Sequence, residues 1–272
     1  MRNYCSDQRA NKFCNAVVRV VETTCGDHVR AIVLFGSHAR GDASPVSDVD
    51  LLIILADSPD VSVLQGALSR KVRYLEEILD LMPPVRSVVD RMLRAVKMQT
   101  GMFRSWFVCS EKDLHALDFA RAFGVNQCLS RVVSPSTLVY LNLKREGVVI
   151  WGDKDVLSPL KLTKWRYPLI RSFVLTFVES LGSLALTPFS AETTLFSMEA
   201  VKWSAFNLQF IAAHFGVPLP SLVEMTGMSR YFIARKNYNR DPVFNLLAVW
   251  LVWRIHSVAS GLLRSISSPQ TS

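Results

Sequence analysis

The segment Leu34 to Leu52, LFGSHARGDASPVSDVDLL, constrains this chain more than any other stretch. Val29 to Phe35 is a short apolar, β-branched run that reads as a buried strand, and Val49 to Leu55 reads as a second. Between them lie Gly36-Ser37 and a loop rich in Gly, Ser and Pro. Asp48 and Asp50 stand two apart, and on a strand such residues share a face with their Cα atoms about 6.6 Å apart. Two carboxylates so placed repel each other unless a cation lies between them. Hard divalent ions accept carboxylate oxygens while keeping waters and substrate phosphates. A carboxylate pair can also bridge two ions about 3.5–4 Å apart. Gly36 lets backbone approach a ligand closely, and the N–H groups that follow open a short helix suited to phosphate oxygens. Ser37 adds a hydroxyl donor. Arg40, one turn on, either adds charge or pairs with Asp42 at the surface. Each half alone is a solvated edge or a tight turn; in this order they point to a metal–phosphate site.

The rest of the chain frames that segment. Phe13, Val17, Val20 and Val21 mark one face of a helix over Asn11 to Cys25. A second helix covers Leu64 to Leu81, with Lys71, Arg73, Glu76 and Glu77 outside, and Pro83-Pro84 ends it. Val85, Val88, Val89, Met92, Leu93 and Val96 keep helical spacing. A third strand fits Met102 to Cys109, helices fit Lys112 to Phe123 and Pro135 to Arg145, and Val148 to Trp151 makes a short last strand closed by Gly152. Beyond about residue 160 only helical spacing remains, over roughly 166–187, 192–215 and 241–265. The expected architecture is α+β, with a small mixed-sheet domain over 1–155 and an all-α helical bundle over 160–272.

Composition narrows the classes. Half of the 272 residues are apolar and a fifth are charged, so the chain can bury a core. Mean hydropathy is +0.22, high enough to test for a membrane span. The run Trp203 to Val223 carries Asn207, Gln209, His214, Pro218 and Pro220, and Phe244 to Leu263 carries Arg254 and His256. Neither matches a clean span of about 20 apolar residues, so buried helices and no stable membrane insertion are expected. The N-terminus lacks the apolar stretch of a secretory signal, and five cysteines with no CxxC pair suggest neither a disulfide framework nor zinc. A cytoplasmic protein with reduced thiols is expected. Net charge is +8, and residues 161–272 hold 11 Lys and Arg against 5 Asp and Glu, which fits either an anionic partner or, with no Lys/Arg run present, a solvated basic surface.

The central segment resembles the nucleotidyltransferase signature of the DNA polymerase β superfamily, GS, a spacer, then DxD. It is closest in style to the minimal and antibiotic-modifying members, which read GSxARG followed by SDxDL. Gly36, Ser37, Ala39, Arg40, Gly41, Ser47, Asp48, Asp50 and Leu51 stand in those positions, and Glu146 to Gly152 resembles the strand that closes such domains. The resemblance implies a Mg²⁺-dependent enzyme that moves a nucleoside monophosphate from an NTP, ATP foremost, to an acceptor and releases pyrophosphate. It implies catalytic and metal roles for Asp48 and Asp50 with two Mg²⁺ ions, and nucleotide-binding roles for Gly36, Ser37 and Arg40. A small molecule, a protein or RNA would be the acceptor, chosen by the helical half, and a homodimer fits the same picture.

One departure stands against it. These enzymes usually hold a third carboxylate on the strand after the DxD helix, as general base or metal ligand. Met102 to Cys109 contains no Asp or Glu, and Asp80, Asp90, Glu111 and Asp113 are candidates without good placement. The alternative is therefore a catalytically impaired nucleotide-binding or toxin-neutralising module on the same fold. His38 is expected in solvent, and His115, His214 and His256 in core or surface roles. Trp165, Trp203, Trp250 and Trp253 sit at buried-face spacing and are expected in the core.

Overall fold

The computed structural model describes residues 3–5, 7–41, 43, 47–58, 60–79, 88, 91–92, 105–128, 136–161, 166–190, 193–214 and 241–267. The chain forms two compact units. One comprises Met1–Arg86, Arg91–Val132 and Ser136–Thr163; the other comprises Ser87–Asp90, Val133–Pro135 and Lys164–Ser272.

The first unit is built on a four-stranded mixed sheet of order β3-β2-β1-β4. β1 (Val29–Phe35) runs antiparallel to β2 (Asp50–Leu55) and to β4 (Val148–Gly152), while β2 and β3 (Trp106–Ser110) are parallel. The two central strands are continuous apolar runs because both faces of the sheet are covered. On one face Ile32, Leu34, Leu51, Ile53 and Val108 pack with Phe13, Val17 and Val21 of α1 (Gln8–Cys25) and with Leu68 and Val72 of α3 (Val61–Ile78). On the other, Ala31, Val33, Leu52, Ile54 and Phe107 pack with Leu114, Phe123, Tyr140, Leu143 and Leu157. α2 is the short helix Gly36–Arg40 that follows β1 directly.

Several boundaries differ from the sequence expectations. β2 begins at Asp50, so Asp48 lies ahead of the strand. The expected helix over Lys112 to Phe123 is two short helices, α4 (Glu111–His115) and α5 (Phe119–Ala122). Leu117 adopts a left-handed conformation between them, and the Asp118 side chain caps α5 by accepting from the Arg121 N–H. The break lets Leu114, Ala122 and Phe123 all reach the same core cluster. α6 (Ser136–Glu146) leads into β4. Glu76, expected outside, is buried. The expected helix over Val85 to Val96 falls mostly outside the described residues.

The second unit contains three long helices, α7 (Arg166–Leu186), α8 (Thr193–His214) and α9 (Pro242–Ser267), each packed on the other two. Its interior is polar for a helical core. Ser172, Thr176, Ser180 and Ser183 form the buried stripe of α7, continued by Thr187 just past its end, while Val174, Val178 and Leu181 face outward. Most of these hydroxyls return their proton to a carbonyl one turn back, as Thr176 does to Phe173, Ser180 to Phe177 and Ser183 to Glu179. Asn207 of α8 donates to Ser172 at 2.6 Å, and Asn245 of α9 donates to Thr187 at 2.7 Å. His256 lies in this core as expected. Trp250 and Trp253 do not: they are about half exposed, at 54% and 51%, on the outer side of α9. Trp165 is outside the described residues. Pro242–Gly261 is long and apolar enough, at 20 residues and mean hydropathy 1.4, to cross a membrane by length and composition. Arg254 and His256 lie within that window, and α9 packs against both other helices of its unit.

Candidate functional site

The site forms where β1 stops and β2 starts. Phe35, the last residue of β1, pairs with Asp50, the first of β2. The chain turns at Gly36 with φ +71, a conformation that L side chains rarely adopt. Asp50 fills the space where a side chain would stand, since a Cβ on Gly36 would collide with its carboxylate, 3.1 Å from Cγ. Glycine is thus required here twice over, for its backbone angle and for the carboxylate above it. Gly41, with φ +79, ends α2 by donating its N–H to the Ser37 carbonyl. The first-turn N–H groups of α2 have no acceptor within the helix.

Val49 is buried in the α1/α3 core, and Asp48 and Asp50 on either side of it are partly exposed. Alternation along β2 puts Asp50 on the face of Leu52 and Ile54. Gly36, Ser37, Asp48 and Asp50 are therefore gathered at one end of the sheet, with Asp50 directly against Gly36. Arg40 pairs with Glu146 at 3.2 Å, and Asp42, its partner in one of the two roles open to it from the sequence, lies outside the described residues. Glu146 ends α6, just before Val148 pairs with Leu34 beside the same turn. Sequence reasoning assigned Glu146 no role. The two partners are separated by 106 residues, so no local pattern joins them.

The third-carboxylate candidates resolve differently. Glu111 binds Arg30 at 2.9 Å, near the start of β1 and thus at the far end of the sheet from Gly36. Asp113 accepts from the Ser110 hydroxyl at 2.8 Å, at that same far end. Asp80 and Asp90 lie outside the described residues. Leu51 pairs with Trp106, and its N–H donates to the Ser105 carbonyl at 2.9 Å. Continuing that register by one residue sets the buried Ser105 beside Asp50, where a third carboxylate on β3 would stand. Among the described residues, no group of three His, Cys, Asp or Glu side chains comes together.

His38, expected in solvent, is buried inside α2 at 8% exposure, with Cys5 and the Ser47 backbone beside it. His115 meets the Val156 carbonyl through Nε2 at 2.9 Å. The His214 side chain is outside what is described.

Residues 17–94, which span β1, the turn and both aspartates, match the nucleotidyltransferase domain family. That stretch is similar to a nucleotidyltransferase domain. A relative from Methanocaldococcus jannaschii, named "Putative protein adenylyltransferase", is 34% identical over 65 residues, 24% of this chain and 66% of its own. The matched part thus spans just under two-thirds of that relative. The crystal structure of spectinomycin adenyltransferase from Enterococcus faecialis, solved with ATP and spectinomycin, aligns with 90% of this chain and 98% of its own. Its TM-score is 0.47 and its identity 13%. The nucleotidyltransferase match falls on the elements that gather Gly36, Ser37, Asp48 and Asp50.

Proposed function

We propose that this chain is a Mg²⁺-dependent nucleotidyltransferase that moves the nucleoside monophosphate of ATP to a hydroxyl acceptor. The observation that carries the proposal is the Asp50 carboxylate seated on Gly36 at the strand-to-helix turn, with Ser37 next in the chain. The donor set suits a hard cation, because it is all carboxylate oxygen. Among the described residues, Asp48 and Asp50 would hold the metal. The metal supplies neutralisation of the phosphate charge and a template for the leaving group. Ser37 and the first-turn N–H groups of α2 hold triphosphate oxygens. The acceptor oxygen bonds to the α-phosphorus as that atom's bond to the bridging oxygen breaks. Pyrophosphate leaves with the electron pair, and the hydroxyl proton passes to a base or to water.

The acceptor is a small molecule, a protein side chain or an RNA end, and the name of the archaeal relative favours protein. Selection of the acceptor falls to the helical unit in this reading. Ser105 beside Asp50 favours a second reading, a nucleotide-binding or neutralising module without turnover. Pyrophosphate release with each NTP, with and without Mg²⁺ and against an acceptor panel, separates the two. Turnover that needs Mg²⁺ and vanishes in Asp50→Asn supports the enzyme. Binding of a non-hydrolysable ATP analogue without any transfer leaves the second reading standing.

A further inference from the structure

Cys5 and Cys14 lie beside the turn that carries Ser37, yet neither has a part in nucleotide transfer. Their Sγ atoms are 3.8 Å apart. Residues 3–5 are pinned over α1 by the buried Asn11, whose Oδ1 accepts from the Tyr4 N–H at 2.8 Å and whose Nδ2 donates to Asn3 at 3.1 Å. Cys14 is fully buried, whereas Cys5 is partly exposed. Cys5 opens on a shallow surface cavity of about 540 Å³ shared with Asn3, Tyr4, Gln8 and Asn11. The buried ring of His38 sits against Cys5 and the Ser47 backbone.

We propose that Cys5 and Cys14 are a thiol–disulfide exchange site, with Cys5 the attacking thiol for a small-molecule disulfide such as oxidised glutathione and Cys14 the resolving thiol. The Cys5 thiolate attacks one sulfur of the small disulfide, whose S–S bond breaks and releases a thiolate. Cys14, losing its proton to that departing thiolate or to water, then attacks the mixed disulfide on Cys5. The second small thiol leaves, and a Cys5–Cys14 bond remains. Two protein thiols are oxidised and one disulfide is reduced to two thiols, so atoms and electrons balance. Closure needs the sulfurs to come from 3.8 Å to about 2 Å.

The surroundings suit these roles. The hydrogen bond shared with Cys14, and His38 alongside, bring the Cys5 thiol down to about 5, against burial and the charge of Asp7. The same hydrogen bond, then burial, pushes Cys14 up, which keeps it protonated until it is called on. Burial works against a charged His38, but Cys5, the Ser47 backbone and Asp7 hold the imidazole above its ordinary value. Among the described residues, the charged and titratable groups facing Cys5 are Cys14, His38 and Asp7.

The test uses the full chain, reduced, desalted and incubated with oxidised glutathione, then alkylated and digested with trypsin. Cleavage after Arg9 and Lys12 separates the two cysteines, so a bridge joins residues 3–9 to residues 13–19. We expect that linked pair in the wild type. Cys14→Ser should stop at a glutathione adduct on Cys5, and Cys5→Ser should leave Cys14 alkylatable only after unfolding. The exposed Cys128 reports in every sample that the oxidant is present. Between pH 6 and 8 the Cys5 rate should change less than about three-fold, while a plain cysteine peptide rises about ten-fold per pH unit. His38→Asn should steepen the Cys5 profile, and circular dichroism checks that each variant is folded. Absence of the linked pair in the wild type, or a glutathione adduct on Cys14 in folded Cys5→Ser, overturns the proposal. An unchanged profile in His38→Asn overturns the part given to the imidazole.

Discussion

Gly36 is the tightest point of the site, and a single methyl group tests it. Gly36→Ala forces an L side chain to φ +71 and into the Asp50 carboxylate. We expect a stability loss of about 1–3 kcal/mol in urea unfolding and loss of ATP-analogue binding, because Asp50 must move. Retained binding at wild-type affinity would show that Asp50 is not held there for the nucleotide. Ser37→Ala removes one hydrogen bond to a charged oxygen, about 1.5–3 kcal/mol, and should weaken the analogue roughly ten- to a hundred-fold in equilibrium titration. An unchanged dissociation constant would reduce Ser37 to a turn residue. The Arg40–Glu146 pair is partly exposed, so it contributes at most about 1 kcal/mol. At this scale the sequence displayed Gly36, Ser37, Asp48 and Asp50, because their chemistry is local. Glu146 and Ser105 reach the site through pairing between distant segments, which no spacing in the chain records.

Among the elements, α7 reverses the usual amphipathic pattern. Its Ser and Thr stripe faces inward, where small hydroxyls satisfied by their own helix allow close packing, and its valines face outward. Apolar periodicity alone would have buried the opposite face. The three helices meet at His256 of α9, whose Nε2 lies 3.0 Å from the Thr176 hydroxyl of α7 and 3.1 Å from the Ser204 hydroxyl of α8. Both hydroxyls give their protons to backbone carbonyls, so their lone pairs suit a neutral imidazole's Nε2–H. Burial pulls the His256 pKa down to about 4. The unfolded chain takes up that proton more readily, so the contribution is present above about pH 6.5 and is lost as pH falls towards 4. It amounts to about 2–3 kcal/mol. Urea midpoints at pH 7.5 and 4.5 should therefore differ more in the wild type than in His256→Gln, which keeps a donor but cannot titrate. An equal drop in both would place the acid sensitivity elsewhere.

For the whole molecule, the proposed division gives nucleotide binding to the sheet unit and acceptor selection to the helical unit. Val156, Leu157 and Leu160 are buried in the second core cluster of the sheet unit, so a fragment carrying the intact unit must extend to Thr163. Cutting near Asp155 would remove three core side chains, at about 2–3 kcal/mol apiece. The fragment ending at Thr163 should bind the ATP analogue with Mg²⁺ yet transfer nothing, since the helical unit is assigned the acceptor. Parallel titration and pyrophosphate assays on fragment and full chain decide this. Full acceptor turnover by the fragment would assign the helices another purpose.

The sequence by itself determined the strand–turn–strand unit, the glycine and serine of the turn, the aspartate pair and the change from mixed to helical architecture. Each of these is written in adjacent residues, through apolar runs, helical spacing and turn chemistry. Only the tertiary structure decided that Asp50 rests on Gly36, that Ser105 and not a carboxylate sits beside it, and that His38 is buried against Cys5. It also decided that the inward face of α7 is the polar one. Strand register and helix packing set these, and both depend on contacts between segments far apart in the chain, where local propensity carries no information.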